Sequence, residues 1–165
     1  MKLYIKQKVF SWRDRFAICD DDGQPRWFAQ GEFFSWGRKL HVFNTANQEV
    51  AFIRQKLLSF LSRYFIEING NTYTFVKEFT LLKPRFRLEG TDWTAAGNFL
   101  AHEYTVTNGT ERILSISKKW FTWGDTYELD IPNPENELLC LCIALTIDCM
   151  NADSEHNASI GSSNS

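Results

Sequence analysis

The stretch LLCLCIALTIDCM, residues 138–150, holds two polar residues, Thr146 and Asp148, and is apolar on every other side. Pro132–Asn133–Pro134 stands before it and Asn151 after it, so a strand must stop there, and Asn133 or Asn136 is available as a cap. A run apolar all round is either a fully buried helix or a membrane span. Thirteen residues of helix reach about 20 Å, short of the roughly 30 Å hydrocarbon core, so the reading is a buried helix. A helix about 10 Å across needs apolar walls on all sides, and a flat sheet covers only one. A barrel of about eight strands is filled by its own side chains, whereas one of eleven or twelve has room for a central helix. The spacing predicts a helix over about 136–151, with Leu138, Leu141, Ile143, Leu145 and Ile147 in the core. The small, polar stretch 153–165 is expected to be a disordered tail.

The rest of the chain supplies strands. KKWFTWGDTYELDI at 118–131 has weaker counterparts in QKVFSWRDRFAI at 7–18, EFFSWGRKLHVF at 32–43 and QKLLSFLSRYFIEI at 55–68. Each holds a large apolar residue (Phe10, Phe34, Leu58, Phe121), then Ser or Thr, then Trp or Phe; six places after the first comes Phe16, Leu40, Tyr64 or Tyr127. At one offset His41–Ile68 matches Tyr104–Ile131 without a gap, pairing Lys56 with Lys119 and Tyr64 with Tyr127. Four strand–corner–strand units and one internal duplication follow. Asp20–Gly23, Asn69–Asn71 and Asn108–Gly109 are tight turns, Pro84 opens a strand over 85–89, and 91–97 reads as a polar loop. The fold class is therefore mainly β: about twelve antiparallel strands in a closed barrel around the C-terminal helix, one domain over 1–152.

Composition agrees and narrows function. Fourteen Phe, six Trp and five Tyr in 165 residues suit strands. All 18 Lys and Arg fall within residues 1–129, beside 14 of the 20 acids, which leaves that body at +4 in a chain of net charge −2. So mild an excess allows attraction to an anionic surface and is too small for nucleic acid. The N-terminus alternates as a strand and lacks the features of a signal peptide. Cys19, Cys140, Cys142 and Cys149 form no disulfide framework and read as reduced thiols of a cytoplasmic protein.

KKWFTWGDTYELDI, the DDDG hairpin, GEFFSWGRKLHVFN and the terminal apolar helix resemble the LURP-one-related proteins of the Tubby C-terminal-like superfamily, over roughly residues 1–152. The resemblance implies a twelve-stranded barrel around a hydrophobic helix. Relatives of that fold include tubby proteins, which bind membrane phosphoinositides, and phospholipid scramblases. A lipid- or partner-binding module is implied, without an assigned reaction. Asp125 and Asp130 remain from the acidic stretch of scramblases, but the dense ligand set and the long helix do not, so scrambling is not expected.

Among single residues, Lys83, Arg85 and Arg87 share one face of a strand whose other face carries Phe86 and Leu88, and they suit lipid phosphates. Lys118 and Lys119 are weaker candidates, because adjacent strand residues face opposite ways. Cys140 and Cys142, two apart on a helix, point about 200° from each other and cannot share an ion. Asp20–Asp22 lacks EF-hand spacing, and His41, His102 and His156 are scattered with no catalytic motif. Asp148, an acid in a buried helix, needs a partner. The expectation is a non-enzymatic module, without metal or cofactor, that binds an anionic phospholipid surface or a protein from the cytoplasm. The alternative is a small-molecule binder or enzyme using a pocket at a barrel mouth.

Overall fold

Twelve strands follow one another around a closed antiparallel barrel, each paired to its chain neighbour and β1 closing on β12. They are β1 Lys2–Lys6, β2 Phe16–Cys19, β3 Pro25–Gly31, β4 Lys39–Asn44, β5 Glu49–Gln55, β6 Arg63–Ile68, β7 Asn71–Glu78, β8 Arg85–Leu88, β9 Trp93–Asn98, β10 Glu103–Asn108, β11 Glu111–Phe121 and β12 Gly124–Asp130. A 3₁₀ turn over Pro134–Asn136 leads into helix α1, Glu137–Gly161. The computed structural model describes residues 1–6, 15–32, 36–80, 84–121 and 124–161.

Alternation sets the inside of the barrel. Leu3, Ile5, Ile18, Leu40, Val42, Ile53, Tyr64, Ile66, Leu88 and Leu129 are at most 1% exposed and point at the helix. Residues 140–150 of α1 are all buried, Leu141, Ile143, Leu145 and Ile147 completely, while Leu138 is partly covered where the helix enters. Asn133 caps the turn, its Oδ1 accepting from the Glu135 amide at 3.0 Å. The helix outruns its expected end at 151. From Asn151 to Ile160 there is neither Pro nor Gly to stop it, and Gly161 is its last residue.

The internal repeat is real in one hairpin and slips in the next. Gln55↔Tyr64 and Ile53↔Ile66 in β5–β6 recur as Lys118↔Tyr127 and Ile116↔Leu129 in β11–β12, and both tyrosines are buried. The Lys56 amide bonds the Arg63 carbonyl at 2.8 Å, where Lys119 pairs Thr126. One strand upstream, Leu40 sits across from Ile53 but Tyr104, not Glu103, sits across from Ile116. The two preceding turns differ in length, and a one-residue shift exchanges the faces. His41 thus lies outside between Glu32 and Glu49, whereas its sequence match Tyr104 is core. A second correction concerns 91–97. Thr91 and Asp92 remain in the connection, but Trp93–Asn98 is strand β9, because neighbours β8 and β10 both pair with it.

The four cysteines report on this packing. Cys140, Cys142 and Cys149 are buried in α1 and Cys19 is half-buried, all four as free thiols. Burial pushes the Cys140 thiol up to about 12 and the Cys142 thiol higher still. Thiolate is the reactive form, so a disulfide reagent at neutral pH should label at most Cys19 in the native protein and all four in denaturant. Rapid native labelling of the helix thiols would contradict the buried helix.

Candidate functional site

Because the barrel is antiparallel with neighbours in chain order, its connections alternate between two ends. The lower end carries the turns after β2, β4, β6, β8 and β10, together with Met1 and the start of α1. There the Arg26 guanidinium clasps the Glu137 carboxylate, with Nη2 to Oε2 at 2.8 Å, and the Trp27 indole donates to Glu137 at 2.7 Å. Asp20 is turn chemistry, its Oδ1 accepting from the amides of Asp22 and Gln24. These lower connections hold Asp20, Asp21, Asp22, Glu89, Asp92 and Glu135, and no Lys or Arg.

The upper end has the opposite character. Its described connections contain Arg15, Arg38 and Lys56 against one acid, Glu32, which is held by Lys39 at 2.9 Å. Every large apolar side chain that the described residues expose also lies here: Trp36 at 88%, Leu57 at 46%, Leu58 at 106%, Phe60 at 97%, Phe79 at 75% and Leu100 at 69%. They come from four successive corners, after β3, β5, β7 and β9. A patch of this kind on a soluble surface marks a contact site. Leu58 adds a backbone cost, for it has a φ of 56° with its side chain wholly in solvent. A left-handed non-glycine residue costs roughly 1–2 kcal/mol, and no packing within the chain offsets it at this corner.

Two of these corners, after β3 and β5, belong to the repeated phrases; the other two phrases lie between β1 and β2 and between β11 and β12. Where the first and third positions are described they fall on the upper rim, and in all four phrases the residue six places after the first turns inward in the next strand. Phe16, Leu40, Tyr64 and Tyr127 are all buried. Leu58, Trp36 and Phe60 are the phrase positions described on the rim, while Phe10 and Phe34 lie outside the described residues.

Of the cations singled out in the sequence, Lys83 also lies outside the described residues. Arg85 and Arg87 project outward from β8 with Phe86 and Leu88 inward. Arg87 meets Glu78 at 3.1 Å, and nearby Arg63 meets Glu89 at 3.3 Å, whereas Arg85 is exposed near the rim. Lys118 and Lys119 stand three strands away on β11, the latter 3.6 Å from Glu128. The structure therefore does not gather these cations into one pocket. It distributes them around the upper half of the barrel wall.

Where α1 reaches the upper rim, a cavity of about 550 Å³ opens between β7, β8, the β9–β10 corner and Met150–Asn151. Asn151 fastens the helix to that corner, its Nδ2 donating to the Phe99 carbonyl at 2.9 Å. One turn deeper, Asp148 finds the partner its burial demands: His102 Nδ1 lies 3.0 Å from Oδ1. His102 holds a φ of 53° and stacks its ring on Tyr127 at 3.9 Å. Burial raises the Asp148 carboxyl above its ordinary range, and His102 offsets part of that. Burial, and then the nearby Asp148 charge, push the Tyr104 phenol well up. Sequence reasoning missed His102 because 46 residues separate the pair, and only the positive φ of a corner brings the ring back over the helix. Among the described residues no three His, Cys, Asp or Glu side chains converge as a metal site, and no helix is long and apolar enough to cross a membrane.

The comparisons with known proteins agree with this architecture. The profile of the family described as LURP-one-related matches residues 1–148. The uncharacterized protein YxjI of Bacillus subtilis (strain 168) is 40% identical over 149 residues, which span 90% of this chain and 92% of that one. An X-ray structure of a protein from Arabidopsis thaliana superposes with a TM-score of 0.60 at 17% identity over 89% of both chains, a likeness of fold. Neither description states a ligand or a reaction. With a profile match over nearly its whole length and a relative at 40% identity, the chain belongs to the LURP-one-related family.

Proposed function

We propose that this protein is a non-catalytic binding module that docks the upper rim of its barrel onto an anionic membrane surface from the cytoplasm. The observation that carries the reading is the segregation of its exposed apolar side chains, Trp36, Leu57, Leu58, Phe60, Phe79 and Leu100, to one end of the barrel. That end is the cationic one, and the opposite end is acidic. Apolar tips that enter the headgroup layer, ringed by Arg38, Lys56, Arg85 and Lys118, fit a negatively charged interface. The acidic lower end would be repelled by it, which orients the barrel axis toward the membrane. Four free thiols suit a reducing compartment.

Sedimentation with phosphatidylcholine vesicles, with and without phosphatidylglycerol or phosphoinositide, tests this. Each basic residue near an anionic surface contributes about 1 kcal/mol, so attachment should be weak, anion-dependent and lost in high salt. Phe60→Asp with Phe79→Asp should lower binding at least tenfold without changing the fold, and Arg85→Glu with Arg87→Glu should lower it further. Leu58→Gly should weaken docking while leaving stability unchanged or raised by about 1 kcal/mol, since glycine takes that φ freely. No binding by the parent protein in low salt would refute the membrane reading and leave a protein partner for the rim.

A further inference from the structure

Lys77 occupies an unusual place in the barrel. It pairs across strands with Phe86, and its β7 neighbour Phe75 pairs with Leu88; all three of those apolar residues are core. Directly opposed residues share a face of the sheet, so Lys77 stands on the inward face, at the last inward position before the upper mouth. Among the described residues it has no carboxylate partner, whereas Lys2, Arg26, Lys39, Arg54, Arg63, Arg87, Arg112 and Lys119 each have one. Lys77 is half-buried at the mouth, where its ammonium can meet an anion that arrives from solution.

The space beside it has matching chemistry. Among the described residues, the mouth cavity of about 550 Å³ has Lys77 as its one cation, and no Asp or Glu lines it. Its deeper wall is Phe86, Phe99 and Met150, each at most 2% exposed, with Phe86 and Phe99 meeting edge to face at 4.7 Å. Leu100 and Ser62 stand at the lip. The volume falls in the range of roughly 300–1,000 Å³ usual for small-molecule sites. We propose that this cavity binds one single-chain anionic amphiphile, an acyl chain ended by a carboxylate or phosphate. The chain lies against Phe86, Phe99 and Met150, and the head group sits on Lys77 at the mouth. A head group so placed faces the plane of the upper rim, from which a lipid would enter. The site does not depend on membrane docking, since a monomeric amphiphile can reach it from solution.

Calorimetric titration of the parent protein with laurate and with dodecyl phosphate, both kept monomeric, should give saturable one-to-one binding. Dodecanol, which has the chain without the charge, should bind at least tenfold more weakly, and inorganic phosphate, which has the charge without the chain, not measurably. Lys77→Met keeps the apolar stem and should abolish the preference for laurate over dodecanol. Ser62→Trp should fill the lip and remove binding of both. Phe60→Asp with Phe79→Asp should still bind laurate even where vesicle binding is lost, which separates a failure of this proposal from a failure of docking. Equal affinity of the parent protein for laurate and dodecanol, or no binding of either, overturns the proposal whatever the variants do. Binding of inorganic phosphate as strong as that of dodecyl phosphate would reduce the site to an anion contact and overturn the amphiphile.

Discussion

A chain ended at Ile131, lacking α1, is expected not to form the barrel at all. The five large side chains Leu141, Ile143, Leu145, Ile147 and Met150 are each at most 2% exposed, and at roughly 1.5–3 kcal/mol apiece they contribute about 10 kcal/mol between them. That equals the whole stability of a typical domain, about 5–15 kcal/mol. Their loss also strips the inner wall, where Leu3, Ile18, Val42, Ile53 and Leu129 would face an empty bore. Twelve strands enclose too wide a space for those side chains to meet across it. Circular dichroism and denaturant unfolding of the truncated chain should show no cooperative transition. The point substitution Leu141→Ala should cost about 2–5 kcal/mol in the full chain. A soluble truncated protein that unfolds cooperatively would mean that the barrel has a core of its own and that α1 is dispensable to it.

This dependence explains why the architecture was legible in the residues. LLCLCIALTIDCM could not be satisfied by one sheet face, so a single segment demanded a closed wall of many strands. The strands betrayed themselves by two-residue alternation, and the hairpins by Asp20–Gly23, Asn69–Asn71 and Asn108–Gly109, whose backbone needs only a few residue types. What misled was any stretch whose structure is imposed by neighbours. Strand β9 reads WTAAGN from Trp93, with one buried residue, Ala95, and is a strand because β8 and β10 hold it. Gly97 shows how tightly. A Cβ there would lie 2.5 Å from the Tyr104 Cα and the Glu103 carbonyl, an approach no pattern of hydrophobicity announces.

The rim was written in the sequence but not readable as a site. Trp36, Leu58 and Phe60 were visible as the recurring grammar of a phrase repeated within this one chain, and a repeat of apolar residues reads naturally as core. Only the closed topology shows that the four phrases join strands at one end, where Trp36, Leu58 and Phe60 leave the barrel and the seventh position of each phrase enters it. Arg85 and Arg87 stand on an outward face, yet Arg87 and Lys119 meet Glu78 and Glu128 across strands, Lys118 pairs with buried Tyr127, and cross-strand partners depend on register. Lys77 escaped notice for the same reason: its inward direction is a property of its pairing with Phe86, not of its own chemistry.

Register also decides what becomes of Asp148, and replacing His102 should expose it. With the ring removed in His102→Ala, a carboxyl 6% exposed loses its His102 partner, and the loss at neutral pH should be about 1–3 kcal/mol. His102→Gly, which takes a φ of 53° freely, separates that loss from backbone strain. Replacing the acid as well, in His102→Ala with Asp148→Asn, should recover most of the stability, since no charge is then left inside. The pH dependence has a definite sign. Burial raises the Asp148 carboxyl in the folded chain, so the folded state holds that proton more tightly than the unfolded one. Its contribution is therefore most favourable below the ordinary carboxylate value and is lost as pH rises through the raised one. The penalty in His102→Ala should accordingly shrink on acidification and grow toward alkaline pH, and Asp148→Asn should flatten the profile in that window. Urea titrations across the pH range measure all of this. A His102→Ala protein as stable as the parent at neutral pH, or one whose deficit is the same in acid and in base, would show that the pair is a contact of proximity and that Asp148 is solvated at the mouth by other means.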